Sequence, residues 1–323
     1  MMRGPGSPFT LFFATDLHGS DICYRKFVAA ADFYQVDLLL LGGDFTGKAL
    51  VPIVEWSDGS YRSELHGKAQ RLTLPELDGF ESRLANLGLY PSRMSSDELE
   101  HYRSDENDLG RLFERLISER VIDWIGYARR KLSGSGTIIG TAPANDDPWS
   151  IDQVIAEHGE GVFVNLEGSI LEVAPGLELL TSGYTNPTPW ATPREFPEEE
   201  ILDYLEKVIT GLARPESAIF NLHPPPYGSK IDLAPKLDEN LSIETSLGAQ
   251  KMVPVGSKAV RQVIEEHQPL ASLHGHIHES PGVVRLGRTL CLNPGSEYGE
   301  GILKGVLLRV GEGRVLSHQA TSG

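Results

Sequence analysis

The chain has 323 residues, 40% of them hydrophobic, and a formal net charge of −16 at pH 7. A chain of this size can bury a substantial core, and its length permits one large domain or two smaller ones. The negative charge repels polyanions, so tight binding of long nucleic acid is not expected. The two cysteines, Cys23 and Cys291, are too few for a disulfide framework, and we expect both to be buried thiols in a reducing compartment.

The N-terminal segment MMRGPGSPFTLFFATD has one basic residue and only a short apolar stretch before its Asp. It lacks the apolar core and the cleavage site of a signal peptide. No later segment reaches the apolar length that a membrane span needs. We therefore expect a cytoplasmic protein with no membrane partner.

The first fifty residues predict a β-α-β unit. Apolar runs at 10–14 and 38–41 predict strands, and the apolar periodicity of 24–34 predicts a helix between them. Further short apolar runs predict strands at 137–139, 162–166, 177–181, 218–222, 270–273, 289–292 and 305–310. Helical periodicity predicts helices at 198–212 and 257–267. This alternation predicts a layered α/β architecture with mixed sheets, which we interpret as a single domain over 1–323.

Residues 49–136 interrupt this alternation, because they separate two core strands by more than an ordinary crossover requires. We interpret them as an inserted, mainly helical cap. Asp58-Gly59 between two alternating segments predicts a hairpin. Helical segments follow, and Ser95 with Glu98 forms a candidate capping box. The cap is therefore predicted to be a hairpin plus helices.

Acidic and histidine side chains follow the first two predicted strands. Asp16 and His18 stand in ATDLH, and Asp44 ends LLGGD. The carboxyl ends of neighbouring parallel strands face one crevice, so these three side chains can converge. A carboxylate and imidazole set of this kind suits a divalent metal. Taken singly, each residue is more typical of a turn or a helix cap.

Three further histidines follow later predicted strands. His223 ends AIFNLH and precedes three prolines, which prevent the strand from continuing. His276 and His278 stand in LASLHGHIHES, and their spacing lets them reach two points of one crevice. The neighbouring His274 is interpreted as a packed residue rather than an additional ligand.

In order, the motifs are Asp16-Leu17-His18, Gly43-Asp44, Ala144-Asn145-Asp146-Asp147, His223 and Gly275-His276-Ile277-His278. Their order and strand context resemble the calcineurin-like metallophosphoesterase superfamily, and small prokaryotic members in particular. The resemblance covers residues 10–48 and about 137–310 but not the cap. It implies a four-layer α/β/β/α sandwich and a binuclear metal centre.

By this resemblance, seven side chains hold two divalent metal ions. Asp16, His18 and His278 would bind the first ion, Asn145, His223 and His276 the second, and Asp44 would bridge them. The implied reaction is hydrolysis of a phosphoester by direct attack of a metal-bridging hydroxide. Mn, Fe, Zn, Ni and Co all accept such ligands.

The chain departs from the family pattern at two neighbouring positions. Ala144 replaces the usual glycine before Asn145, so we expect a different loop geometry there. Asp146 stands where many members have a histidine that acts on the leaving group. By this position we take Asp146 as the candidate catalytic residue. An ionised carboxylate donates no proton, so we expect a preference for diesters or activated esters, whose leaving groups depend less on a proton donor.

Substrate recognition is less well defined by the sequence. Tyr184 and Asn186 lie in a loop rich in turn-forming residues, and related proteins have a similar segment facing the metals. We take both as candidate substrate-binding residues, although an ordered loop explains them equally well. We expect a small phosphorylated substrate.

Two other functions fit the same fold. A nuclease is disfavoured by the acidic charge, and a non-catalytic scaffold is disfavoured because all seven ligand positions hold competent groups. A homodimer is expected from the frequency of two-fold assemblies.

Overall fold

A computed structural model describes residues 7–246 and 248–323. Residues 1–6, which begin the segment examined for a signal peptide, lie outside the described residues. Two six-stranded sheets face each other across an apolar core and are covered by helices on their outer faces. The predicted four-layer α/β/β/α sandwich with mixed sheets is confirmed.

The first sheet contains the β-α-β unit predicted at the start of the chain. In spatial order its strands, numbered along the chain, are β20 (Arg314–Ser322), β19 (Lys304–Gly311), β1 (Phe9–Ala14), β2 (Leu38–Leu41), β7 (Ile138–Thr141) and β8 (Phe163–Asn165). Strands β1, β2, β7 and β8 run parallel, whereas β19 and β20 form antiparallel pairs at one edge.

The second sheet has a similar plan, with four parallel strands between two antiparallel edge strands. In spatial order its strands are β17 (Gly282–Leu286), β18 (Thr289–Asn293), β16 (Ala271–Leu273), β11 (Ile219–Leu222), β10 (Leu177–Ser182) and β9 (Ser169–Ala174). The predicted core strands are all present. Strands β9, β17 and β20 were not predicted, because each lies at a sheet edge and is largely exposed or half-buried.

Helices complete the outer layers. Among the described residues they are α1 (Asp21–Tyr34), α2 (Leu77–Asn86), α3 (Ser96–Ser104), α4 (Glu106–Lys131), α5 (Ser150–His158), α6 (Glu198–Ile209) and α7 (Lys258–His267). Helices α1, α4 and α5 pack on the first sheet, and α6 and α7 pack on the second. Ser257 caps α7 as its side chain accepts a hydrogen bond from the Val260 amide at 3.1 Å.

The segment 49–136 is mainly helical but also contains a four-stranded sheet. Its strands are β3 (Ala49–Glu55), β4 (Tyr61–Leu65), β5 (Lys68–Leu72) and β6 (Leu89–Met94), in the spatial order β5-β4-β3-β6. The predicted hairpin joins β3 to β4, where Gly59 has a φ of +74°. The capping box of Ser95 and Glu98 begins α3. Strands β5 and β6 were not predicted, because their residues are mostly polar or half-buried.

Helix α4 connects the cap to the body. Its first half packs against β3 and β6, and its second half packs on the first sheet and α1. Trp124 stacks on Tyr24 at 4.1 Å between ring centroids, and the Tyr24 hydroxyl donates to the Trp124 carbonyl at 2.9 Å. The end of the cap at residue 136 stays a prediction.

Short β-pairs occupy the long connection between β11 and α7. They are β12 (Leu233–Pro235) with β15 (Met252–Pro254), and β13 (Thr245–Ser246) with β14 (Ala249–Gln250). Cys23 and Cys291 are buried free thiols, as expected. Among the described residues, no helix combines the length and the apolar composition that crossing a membrane requires.

Candidate metal centre

The predicted ligands lie in the loops that follow parallel strands of both sheets. Asp16 follows β1, Asp44 follows β2, His223 follows β11, and His276 with His278 follows β16. The carboxyl ends of these strands face the same side of the sandwich, as expected for a ligand crevice in a parallel sheet. The side chains consequently form two adjoining clusters.

The first cluster joins Asp16 and His18 to His278. The Nε2 atoms of His18 and His278 lie 3.1 Å apart, and Asp16 Oδ1 lies 3.3 Å from His278 Nε2. The three ligand atoms lie within 4.8 Å of one another. This mixed oxygen and nitrogen set is one that borderline transition metals accept.

The second cluster joins Asp44 to His223 and His276. Asp44 Oδ2 lies 3.2 Å from His223 Nε2, and the three ligand atoms again lie within 4.8 Å of one another. Asp16 Oδ1 lies 3.8 Å from His223 Nε2, so the two clusters adjoin. The grouping matches the two ligand sets that the resemblance implies, apart from Asn145.

The ring of His223 tests whether a cation fits between these groups. Its Nδ1 lies 2.9 Å from the Gly42 carbonyl oxygen, which only accepts, so Nδ1 carries the proton. In the neutral ring, Nε2 then carries a lone pair and can only accept. This atom is buried without a hydrogen-bond partner and faces the Asp44 carboxylate. Two acceptors in such a buried position need a proton or a cation between them. The residues present therefore fit a metal ion.

Without a cation, this position is filled by a proton. Burial disfavours the charged form of His223, but the Asp44 carboxylate outweighs burial and raises the pKa of His223 to about 9. Burial alone would raise the pKa of Asp44, yet the charge of His223 outweighs it and holds this pKa well below its usual range. A metal ion must therefore displace a proton at neutral pH.

Two of the remaining imidazoles are already in the form that binds metals. Burial lowers the pKa of His18 to about 3 and that of His276 to about 4. Both rings are thus neutral near pH 7, as ligation requires. His278 differs, because its hydrogen bond to Asp16 outweighs burial and raises its pKa.

Four of the predicted ligands have strained backbone. Asp16, His18, Asp44 and His276 have φ values of 55°, 41°, 48° and 66°, in the left-handed region. Each such residue costs about 1–3 kcal/mol and persists only where the surrounding structure holds it. The loops after β1 and β2 hold each other, because the Asp16 amide donates to the Gly43 carbonyl and the His18 amide to the Asp44 carbonyl, both at 3.0 Å.

Comparisons with known proteins connect this arrangement to a fold. No family model matches the chain. An uncharacterised protein of Methanocaldococcus jannaschii is 32% identical over 114 residues, which are 35% of this chain and 45% of that relative. The matched region thus spans less than half of the relative's length.

Solved structures align over nearly the whole chain at low identity. One crystal structure covers 98% of this chain and 99% of its own, with 15% identity and a TM-score of 0.54. The structure of a novel archaeal phosphodiesterase covers 98% of this chain and 100% of its own, with 10% identity and a TM-score of 0.33. The first of these structures shares the overall fold of this chain.

Asn145, the remaining predicted ligand, is buried in the loop after β7. Its Nδ2 donates to Thr192 Oγ1 at 3.0 Å, and Thr185 Oγ1 donates to its Oδ1 at 3.3 Å. These two hydroxyls orient the amide and leave Oδ1 a second lone pair. Its role as a ligand stays a prediction.

Ala144, where the family has glycine, is accommodated by the loop after β2. A Cβ on Gly43 would lie 2.4 Å from the Ala144 Cβ, so the glycine at 43 leaves room for the alanine at 144. Buried Asp147 joins the two loops, because its carboxylate accepts from the amides of Ala144 at 2.8 Å and Thr46 at 2.9 Å. The departure from the family pattern is thus compensated nearby.

Asp146 lies beside the metal clusters and is paired with a cation. Its Oδ2 lies 2.5 Å from Lys48 Nζ and 3.8 Å from His18 Nδ1, and its amide donates to Asp44 Oδ1 at 2.8 Å. Burial and then the charge of Asp44 raise the pKa of Asp146 to about 6, against the opposing charge of Lys48. Bound cations would lower this pKa again. Its catalytic role stays a prediction.

The two candidate substrate-binding residues are engaged in packing. The ring of Tyr184 lies 4.7 Å from that of Phe196 and 4.8 Å from that of Tyr204. Asn186 Nδ2 donates to the Val255 carbonyl at 3.2 Å. These contacts explain an ordered loop, and the substrate-binding role of both residues stays a prediction.

His274 ties two strands together. Its Nδ1 lies 2.8 Å from the Leu222 carbonyl and 3.1 Å from the Pro224 carbonyl. These contacts agree with the interpretation of His274 as a packed residue that orients the loop of His223.

Sequence reasoning missed several neighbours of the site. Lys48 contacts Asp146, the ring of Tyr298 lies 4.7 Å from that of His18, and Thr185 and Thr192 hold Asn145. For Lys48 the sequence held a signal, because this lysine stands four residues after Asp44 in GGDFTGK. The others come from loops whose approach to the site depends on tertiary structure.

The cap meets the metal loops at a tight junction of glycines. A Cβ on Gly47 would lie 2.1 Å from the Gly88 carbonyl oxygen, and a Cβ on Gly88 would lie 2.1 Å from that of His18. Arg120 of α4 donates to the carbonyls of Gly19 at 2.7 Å and Leu89 at 3.0 Å. The cap is therefore fixed to the backbone of the predicted ligands.

Proposed function

We propose that this protein is a metal-dependent phosphoesterase that hydrolyses a small phosphorylated substrate. The observation that carries this proposal is the pair of adjoining ligand clusters, in which His223 Nε2 faces the Asp44 carboxylate without a partner. Asp16, His18 and His278 would hold one divalent ion. Asn145, His223 and His276 would hold the other, with Asp44 between them.

The metal ions would supply positive charge for the phosphoryl oxygens and would lower the pKa of a water molecule so that it attacks phosphorus at neutral pH. The protein's own residues position this chemistry. The Gly42 carbonyl fixes the tautomer of His223, and Asp16 and Asp44 contribute the negative charge that retains divalent cations. Rigid, strained loops hold these groups before the substrate arrives.

We further propose a preference for diesters or activated esters. The side chain next to Asn145 is Asp146, and its carboxylate is paired with Lys48. With bound cations lowering its pKa, Asp146 is ionised near pH 7 and holds no proton for a leaving group. Esters with good leaving groups depend less on such a donor.

The experiment is a hydrolysis assay of metal-depleted protein reloaded with Mn, Fe, Zn, Ni or Co in turn. The substrates are aryl phosphodiesters, aryl and alkyl phosphomonoesters, nucleotides and oligonucleotides. We expect metal-dependent hydrolysis, fastest for aryl diesters. A strong acid limb near pH 6 with alkyl monoesters would contradict the diester preference, and inactivity with every metal would contradict the phosphoesterase assignment.

Three companion predictions remain part of this proposal. The protein is expected to be cytoplasmic, in keeping with its two free buried thiols. It is expected to form a homodimer. Its acidic charge disfavours long nucleic acid as a substrate.

A further inference from the structure

An apolar cleft of about 450 Å³ lies in the cap beside the metal centre. Strand β3 contributes Leu50 and Pro52, α3 contributes Leu99, and the first half of α4 contributes Leu109 and Phe113. A cleft of this volume is within the range that small organic ligands occupy.

Lys48 joins the cleft to the metal centre. It lines the cleft and follows the loop of Asp44, and its Nζ contacts Asp146, whose carboxylate belongs to a compact group with His18 and Asp44. One carboxylate thus separates the ammonium group from the predicted ligands. The chain carries a net charge of −16. The ammonium group of Lys48 supplies a local positive charge, which suits charge-assisted hydrogen bonds to a phosphoryl oxygen.

The lining also limits the kind of organic group that fits. Apart from Lys48, the only charged residue described as lining the cleft is Glu106, and Tyr102 is the only other residue with a polar side chain. A sugar or a nucleoside polyphosphate needs several hydrogen-bond partners or cations, which this lining does not offer. An alkyl, acyl or aryl group needs only the apolar surface.

Resting on the phosphoesterase function proposed above, we propose that the substrate is a phosphoester with an apolar organic group, which lies in the cap cleft while Lys48 binds its phosphoryl group. The cleft therefore determines specificity. The tight junction at Gly47 and Gly88 keeps it at a constant distance from the metal centre.

The test uses 4-nitrophenyl alkyl phosphodiesters whose alkyl group grows from methyl to hexyl, so that the leaving group is constant. Each buried methylene strengthens binding about fourfold, and partial burial of five of them should raise kcat/KM about tenfold or more. The same series of alkylphosphonates, titrated calorimetrically into metal-loaded protein, measures binding without turnover. A flat series in both measurements overturns the proposal.

Gly110 of α4 offers a variant that fills the cleft. It lines the cleft, and a Cβ there would meet nothing within 4 Å. Gly110→Leu should lower the hexyl-to-methyl ratio of kcat/KM about fivefold or more, equivalent to the loss of about one or two buried methylenes. The matched control is Gly79→Leu, at an equally open helical position in α2 outside the cleft, which should leave the ratio as it is. Equal ratios in both variants contradict the proposal.

Substitutions that remove or keep the positive charge of Lys48 test whether it binds the phosphoryl group. Lys48→Met should weaken the binding of methylphosphonate and hexylphosphonate by about the same factor, roughly tenfold, whereas Lys48→Arg should retain most of it. Unchanged affinities in Lys48→Met overturn the role of Lys48. If no ester is hydrolysed with any metal but phosphonate binding still grows with chain length, the proposed function fails and the cleft assignment stands.

Discussion

The metal centre and the cap cleft lie side by side but are built differently. The predicted ligands Asp16, His18 and Asp44 are buried at 0–2% exposure, have positive φ and share hydrogen bonds between their loops. The described residues that line the cleft all have negative φ or belong to regular helices and strands, and several are half-exposed. The ligand loops therefore hold strained backbone, whereas the residues that line the cleft supply unstrained apolar surface next to them. Under the proposed function, chemistry and substrate selection are divided between these two regions, so single substitutions should affect them separately.

The largest expected effect comes from the carboxylate between the two ligand clusters. Asp44→Asn removes a negative charge that faces His223, so we expect kcat/KM to fall by at least about 10³-fold and both metal ions to bind more weakly. The control is Asp203→Asn on the exposed side of α6. Activity within a few-fold of wild type in the Asp44 variant would break the proposed division, because the ligands would then not carry the chemistry.

A glycine-to-alanine substitution tests the tight junction of Gly47 and Gly88 between the two regions. In Gly47→Ala the new Cβ would lie 2.1 Å from the Gly88 carbonyl oxygen, which is a steric clash. We expect this substitution to lower the free energy of unfolding by about 3 kcal/mol. Chemical denaturation of the metal-free protein measures this. Gly79→Ala is the matched control, since it meets open space in a helix and should stabilise by up to about 1 kcal/mol. Equal stability of the two variants would show that the cap is not fixed to the metal loops.

Metal affinity should depend on pH in a direction that the ligand geometry determines. In the metal-free protein the pKa of His223 is raised to about 9, so below that pH a metal ion must displace its proton. Apparent affinity should rise by about tenfold per pH unit between pH 7 and 9 and then level off. Calorimetry in buffers of different ionisation enthalpy should detect the released proton at pH 7. Affinity that falls as pH rises would contradict the assigned role of His223.

The same raised pKa affects the stability of the metal-free protein. A raised folded pKa contributes stability that is fully present below the unfolded value of about 6.5 and is lost as pH rises through about 9. Unfolding curves of the metal-free protein at pH 6 and pH 9 provide an independent check of the sign. The His223→Gln variant should lose this part of the pH dependence.

The smallest expected effect concerns Asn145, the predicted ligand outside the two Asp and His clusters. Thr192→Val removes the hydroxyl that accepts from Asn145 Nδ2, and partners of this kind typically change metal affinity by about tenfold or more. We expect the ion assigned to Asn145, His223 and His276 to lose about tenfold in affinity while the other changes little. Thr210→Val, at the exposed end of α6, is the control. An unchanged affinity for both ions would argue against Asn145 as a ligand.

The parts of the molecule that could be predicted from the sequence are those in which one local pattern determines the outcome. Continuous apolar runs such as Leu38–Leu41 correspond to buried parallel strands, and the residues after them to the ligand loops. Ser95 with Glu98 and Ser257 correspond to observed helix caps. The ordered motifs were therefore informative about the centre of the fold.

The remainder depends on contacts between distant segments. Strands β9, β17 and β20 lie at sheet edges, where exposed residues carry no clear apolar pattern. Thr185 and Thr192 approach the site only through tertiary folding, from a loop with no recognised motif. The cleft requires β3, α3 and α4 to be placed together, and residue patterns do not encode their angle.

Two metal ions are proposed to bind to the ligand clusters. The most direct measurement is the metal content per chain, determined by mass spectrometry after loading with Mn or Zn and removal of excess metal. The proposed arrangement predicts two equivalents for the wild-type protein and a loss of at least one in Asp16→Asn and in His276→Ala. A wild-type protein that retains no transition metal, or ligand variants that retain both ions, would contradict it.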